Sequence, residues 1–311
     1  MKSVLLLLAV ALAGSGAQDC TRCATMKWAL CDGPPCSCAV LVDEQVKQVL
    51  DCSTLIPKCF LMKAEMYRAK HGLSTRSGGK PTEYAFVDND GIYNPDCEST
   101  GIFKAKQCNG TDTCWCVNSA GVRRTDKGDQ NLKCEALVET YWVRAELKHK
   151  PLSQPLDTTN LKSAITGAIV QRYNLDATYV ANVTYDQGGS RIIVDLMKPL
   201  NALTPDLSRA AYYMEKDVKV LPLFANETNK FEPMVGAQQV QFENILIYYV
   251  DSKPPTFTMK RLTGGIIAVI VVVIVAVIAG LLVLFFARRR ERANYQKTQV
   301  REMDEMQKSL S

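Results

Sequence analysis

Cysteine carries most of the chemical potential of this chain. Twelve of its 311 residues are cysteines, all between Cys20 and Cys134. In Cys114-Trp115-Cys116-Val117, after Gln107-Cys108 and before Gly121, two thiols flank a tryptophan. Thiols at such short spacing either hold a metal or form crosslinks. Cys-x-Cys is tight for a zinc site and no histidine lies near to complete four ligands, so crosslinking is the better reading. An indole packed against two disulfides makes a core for a module too small to bury enough apolar surface. The other reactive side chains fall in no motif. His71 and His149 are the only histidines; neither has a Ser, Cys or carboxylate at catalytic spacing, and both are expected to be solvated. No phosphate-binding loop, His-Glu-x-x-His or Gly-x-Ser-x-Gly occurs. Asp88-Asn89-Asp90-Gly91 could begin a calcium loop, but the later bidentate Glu is missing and a tight turn is expected instead. The residues offer no catalytic group, metal site or cofactor site, and the chain is read as a non-enzyme.

Disulfides need an oxidising compartment, and the two ends of the chain supply one. Lys2, the apolar run Val4 to Ala13 and the small residues Gly14-Ser15-Gly16-Ala17 read as a secretory signal peptide over residues 1–17. Every cysteine then lies in a secreted segment, and their even number predicts six disulfides with no free thiol. Gly264 to Phe286 contains no charge, and as a helix rising about 1.5 Å per residue it spans roughly 34 Å, enough to cross a bilayer. Its Val and Ile content favours strand in water, but in lipid each backbone amide must be satisfied within the segment, so helix prevails. Arg288, Arg289, Arg290 and Arg292 follow as a stop-transfer cluster, against Lys260 and Arg261 on the other side, which places the C-terminus in the cytoplasm. Gly264, Ala268, Ala276 and Gly280, with Val272, recur every four residues as a shallow ridge for packing against another membrane helix. The formal charge is +5, and the tail from Ala287 to Ser311 holds seven basic residues against four acidic. The secreted part is therefore near neutral, with no field to attract nucleic acid.

The elements that must position these groups divide by cysteine usage. Residues 18–58 hold Cys20, Cys23, Cys31, Cys36, Cys38 and Cys52, a knot-like module with Gly33-Pro34-Pro35 as its turn. Residues 59–134 hold Cys59, Cys97, Cys108, Cys114, Cys116 and Cys134; within them His71 to Pro81 is Gly/Ser-rich and basic, expected to be exposed and protease-sensitive. Residues 135–254 have no cysteine and need an ordinary hydrophobic core. There, Tyr141, Val143, Ala145 and Leu147 alternate as a strand, and Leu161, Ile165 and Ile169 recur as a helix with Asp157, Thr158 and Thr159 offering its cap. Tyr179 to Tyr185 and Arg191 to Met197 flank a hairpin turn, Thr204 caps and Pro205 opens a second helix with Leu207, Ala211 and Met214, and Ile245 to Val250 is a last strand. Strand, helix, strand, strand, helix, strand is the ferredoxin-like order, which hosts many functions. The expected class is α+β, followed by a linker at 255–263, a membrane helix at 264–286 and a tail at 287–311. Asn109, Asn182 and Asn226 head glycosylation sequons, with Asn182 inside a predicted strand.

The Gln-Cys, Cys-Trp-Cys-Val, glycine and closing cysteine resemble the thyroglobulin type-1 repeat. That resemblance implies pairing in order: Cys59 with Cys97, Cys108 with Cys114, and Cys116 with Cys134. Further stretches, among them Asp88-Asn-Asp-Gly-Ile-Tyr-Asn-Pro-Asp-Cys97, Gly121-Val-Arg-Arg-Thr-Asp-Lys127, Ala211-Tyr-Tyr-Met-Glu-Lys-Asp-Val-Lys219 and Ile247-Tyr-Tyr-Val-Asp251, are similar to the family of the epithelial cell adhesion molecule and its trophoblast cell-surface paralogue. The resemblance implies N-terminal pairs Cys20 with Cys36, Cys23 with Cys52, and Cys31 with Cys38. It further implies a cis homodimer able to assemble further and adhere between epithelial cells, at lateral membranes and junctions. Claudin association through the membrane helix and regulated cleavage releasing the tail are implied as well. Two other functions are open: cysteine-protease inhibition through the thyroglobulin-like module, and a signalling receptor of the trophoblast type. The tail has one tyrosine, Tyr295, and can act only as a docking peptide.

Overall fold

Disulfides stand where the chain is too short to build a core. In this computed structural model, residues 22–33, 35–73, 93–110, 112–154, 156–200, 202–225, 230–257 and 264–309 are described, with side chains in the last stretch from Ala268 to Arg290. The signal peptide, Cys20, Asn226, the Asp88 to Gly91 turn and most of the His71 to Pro81 segment lie outside them. Strands β1 (Leu30–Asp32), β2 (Ser37–Leu41) and β3 (Lys47–Leu50) form an antiparallel sheet in which Cys31 stands opposite Cys38 and is bonded to it. Cys23 is bonded to Cys52, and Cys36 is also in a disulfide.

Helix α1 (Lys58–Lys70) follows, tied by Cys59–Cys97, and then the hairpin of β4 (Lys106–Cys108) and β5 (Cys114–Cys116), whose strands Cys108–Cys114 joins and whose end Cys116–Cys134 ties to the later segment. Each residue of the thyroglobulin-like pattern has a physical task. Trp115 is 6% exposed, between its two disulfides and edge-on to Tyr93. Gln107 is fully buried and uses its amide three times, donating to the carbonyls of Asp96 and Lys104 and accepting from the Asp96 N–H. Gly121 has φ +76°, and a Cβ there would sit 2.5 Å from the Phe103 ring.

The cysteine-free part consists of β6 (Thr140–His149), α2 (Leu161–Tyr173), β7 (Val180–Asp186), β8 (Arg191–Met197), α3 (Leu207–Lys219), the short hairpin β9 (Met234–Val235) and β10 (Gln238–Gln239), and β11 (Phe242–Asp251). The antiparallel sheet runs β11-β6-β8-β7, the ferredoxin-like arrangement that the element order predicts. Val143, Ala145 and Leu147 face the core with Ile192, Val194, Leu196, Ile245 and Ile247, against Leu161, Ile165, Ile169 and Tyr173 of α2.

Three expectations are corrected. Helix α2 is preceded by Asn160, with no side-chain cap; Asp157 instead accepts from the Thr159 N–H, a local turn that leaves its carboxylate too early in the chain. Helix α3 is capped by Asp206, whose carboxylate accepts from the Ser208 N–H, two residues after Thr204. A carboxylate also complements the positive helix end, which a threonine hydroxyl cannot. His149 is not solvated: at 5% exposed it continues the inward series of Val143, Ala145 and Leu147, bonding through Nε2 to the Tyr185 hydroxyl at 3.1 Å. The chain up to Thr256 forms one compact unit, and Phe257 to Ser311 a second. In the second, α4 (Gly264–Ser309) is one continuous helix that runs beyond Phe286, and Ala268–Arg290 is long and apolar enough to cross a membrane.

Candidate interaction surface

Nearly the whole circumference of α3 is buried, which explains how the stapled modules are carried. One side of α3 faces the sheet; its other residues hold the N-terminal module and α1. The Tyr213 hydroxyl donates to the Thr25 carbonyl at 2.7 Å and accepts from the Ile56 N–H at 3.2 Å, and the Lys27 N–H donates to the Leu223 carbonyl at 2.7 Å. On α1, Glu65 meets Lys216 at 2.7 Å and accepts from Tyr212, all three buried. Asp217, fully buried, takes Arg172 and Tyr173 of α2 at 2.6 and 2.7 Å. Buried ion pairs add little net stability over apolar residues of similar size, but losing one partner of either pair would strand a buried charge between α3 and its neighbours.

With helices on one side, the other face of the sheet is open. Register sets Val250, Trp142 and Met197 in one row, Tyr248, Arg144, Asp195 and Asn182 in the next, and Leu246, Glu146, Ile193 and Thr184 beyond. Tyr248 is 46% exposed and Met197 39%; Trp142, Leu246, Ile193 and Val250 are half-buried. Polar groups order this apolar ground. Arg144 makes a two-pronged contact with Asp195 at 2.8 and 3.2 Å, the Trp142 indole N–H donates to the same carboxylate at 2.9 Å, and the guanidinium lies over the indole at 5.0 Å. Burial pushes the Asp195 carboxyl up, but the bonds from Arg144 and Trp142 outweigh it and hold its pKa below the usual range. Arg191 bridges Glu146 and Asp186 at 2.8 and 2.7 Å. Trp142 is thereby fixed in orientation, a large ring whose ordering entropy is already met before any partner arrives.

Of the sequence-predicted site residues that the structure describes, Asn182 alone lies on this face. Cys114 and Cys116 each bond another cysteine, which leaves neither sulfur for a metal. Asn109 is exposed in the β4–β5 turn, and Asn182 is exposed on β7 at the edge of the open face. Ala268, Ala276, Gly280, Arg288, Arg289 and Arg290 lie on α4, as do Gly264 and Arg292. The outer face leaves little trace in the sequence, because burial marks the inward residues of each strand. A tryptophan at the outward position 142, between inward Tyr141 and Val143 in naive alternation, was the available signal.

Residues 66–134 match the thyroglobulin type-1 repeat, and residues 140–251 match a domain described as EPCAM/Trop-2, C-terminal. Over 315 residues the chain is 42% identical to tumor-associated calcium signal transducer 2 of Homo sapiens, covering 99% of this chain and 95% of the relative. It belongs to the EPCAM/Trop-2 family. Epithelial cell adhesion molecules of the family are similarly near: that of Homo sapiens is 47% identical over 265 residues, 84% of this chain and 81% of the relative. That of Bos taurus is 46% identical over the same length and shares. Identity is thus comparable to both branches of the EPCAM/Trop-2 family, whose named members here are adhesion and signalling proteins and whose matching models indicate no enzyme. As a family member with a helix fit to cross a bilayer, the chain is a membrane protein of the cell surface.

Proposed function

We propose that the chain is a single-pass type I glycoprotein that self-associates through the open sheet face, the thyroglobulin-like module of one copy meeting the C-terminal domain of its neighbour, and so joins epithelial cells at lateral membranes and junctions. The observation that carries this is the pre-ordered Trp142–Arg144–Asp195 group amid exposed Tyr248 and half-buried Leu246 and Val250. Apolar rings with a polar frame are what protein interfaces use as anchors. A near-neutral ectodomain poses little long-range repulsion to a second copy. The names of the relatives, adhesion molecule and signal transducer, agree with it. Claudin association along Gly264, Ala268, Ala276 and Gly280, and tail release by regulated cleavage, extend the proposal.

The test combines sedimentation of the ectodomain with aggregation of coated beads. Tyr248→Asn with Val250→Thr installs a sequon on the β11 side of this face, beside Arg144 and Trp142, and its glycan is expected to abolish both dimer and bead clustering while the circular dichroism stays unchanged. A dimer that survives a verified glycan there moves the contact elsewhere.

A further inference from the structure

We propose that Asn182 carries an N-linked glycan whose structural role is to cap the free edge of β7 against pairing with a strand of another copy. β7 is an outermost strand of the sheet, and an outermost strand offers unpaired amides and carbonyls to any extended chain. Folded proteins blunt such edges with proline, with lysine, or with a bulge. The residues of β7, Val-Ala-Asn-Val-Thr-Tyr-Asp, include no proline, lysine or arginine. Its start is interrupted: the register slips between Val180 and Asn182, and Lys162 Nζ from α2 occupies the Ala181 carbonyl at 3.0 Å. From Asn182 onward the pairing with β8 is regular, and among the described residues the edge has no such protection.

That is where the sequon lies. Asn182 and Thr184 are both exposed, two residues apart on the outer face, and neither side chain bonds another described residue. In the reaction, Asn182 Nδ2 bonds the anomeric carbon of an oligosaccharide while that carbon's bond to a lipid pyrophosphate donor breaks; the amide proton leaves with the pyrophosphate. The sequon is read as the chain is made, before β7 pairs, so its place in a strand is no obstacle. Once the sheet forms, the sugar stands at the end of the row Tyr248, Arg144, Asp195, Asn182, beside the bare edge. The inference does not depend on the sheet face being a contact.

The test uses the full chain, made in a cell that performs N-glycosylation. Enzymatic glycan release in heavy-oxygen water converts a modified Asn to labelled Asp, and label is expected at Asn182 in surface-delivered protein. Asn182→Gln and Thr184→Ala should each remove it and raise the high-mass oligomer fraction of detergent-solubilised chain severalfold; adding Ala181→Lys to Asn182→Gln should restore the wild-type distribution. Unlabelled Asn182 overturns the proposal. So does a labelled site whose loss in both variants leaves the oligomer distribution unchanged, whatever the level of surface delivery.

Discussion

Asp251, the last residue of β11, accepts from the Arg124 guanidinium at 2.9 Å, joining the end of the sheet to the thyroglobulin-like module. The same carboxylate accepts from Asn118 at 2.8 Å and Thr140 at 2.9 Å, while Arg124 reaches the carbonyls of Lys253 and Pro254 at 2.6 and 2.7 Å. The Thr256 N–H closes the clasp on the Arg124 carbonyl at 2.9 Å. One arginine thus fixes the segment through which the chain leaves its folded part.

Arg124→Ala is expected to cost about 2 kcal/mol, below the range for fully buried pairs because both side chains keep some solvent contact and Asn118 and Thr140 still serve Asp251. Amide exchange should quicken from Ser252 to Thr256. Arg124→Lys should recover less than half of the stability, since a single ammonium cannot reach the carboxylate and two carbonyls together. Exchange in that segment unchanged by Arg124→Ala would show that strand pairing alone holds it.

The pair of Glu65 and Lys216 makes a second prediction. Removing one partner strands a buried charge, so Glu65→Ala should lower the unfolding free energy by about 3–5 kcal/mol, while Glu65→Leu with Lys216→Met should cost far less. Denaturant midpoints of the single and double variants give the coupling directly. Additive losses would mean that the helices dock without help from the pair.

How much of this was legible in the sequence follows from range. Val143, Ala145 and Leu147, or Leu161, Ile165 and Ile169, declare their element because burial on one face leaves a period, and the sheet order follows from chain order. The caps failed because Asp157 accepts from the nearby Thr159 N–H in a local turn, while Asp206, two residues past Thr204, accepts from Ser208; a residue or two of backbone geometry decides which side chain caps. His149 was legible, as the next inward residue of its strand, but polarity masked the period. Glu65 with Lys216 and Arg124 with Asp251 were not legible at all. Those partners are far apart in sequence, and a buried charge looks like a surface one until its partner's position is known.

Gly121→Ala should unfold the thyroglobulin-like module selectively. A side chain at φ +76° costs roughly 1–2 kcal/mol, and the new Cβ would overlap the Phe103 ring, itself buried. Near-ultraviolet dichroism from Trp115 should fade, and Phe103→Leu in the same chain should return part of it by making room. Persistence of the Trp115 signal in Gly121→Ala alone would show that the ring can move aside.

Lys58 gives the pH dependence. Its ammonium lies buried over the Tyr249 ring at 4.3 Å and donates to that hydroxyl at 3.2 Å; burial pushes its pKa from 10.5 down to about 8, with Glu215 and Asp206 offsetting part and Lys216 adding to the fall. The folded chain therefore releases this proton at lower pH than the unfolded chain. Between about pH 8 and 10.5 the unfolded state binds more protons, so stability from this group rises with pH there; below pH 8 the folded state carries the full penalty of a buried charge. The shift corresponds to about 3 kcal/mol across that window. Lys58→Met should remove the rise, so the stability difference between variant and wild type, read from denaturant midpoints at pH 7 and pH 10, should move toward the wild type at the higher pH. A difference that stays constant between the two would place the ammonium in contact with water and remove it from the list of groups that make the α1–β11 junction pH-sensitive.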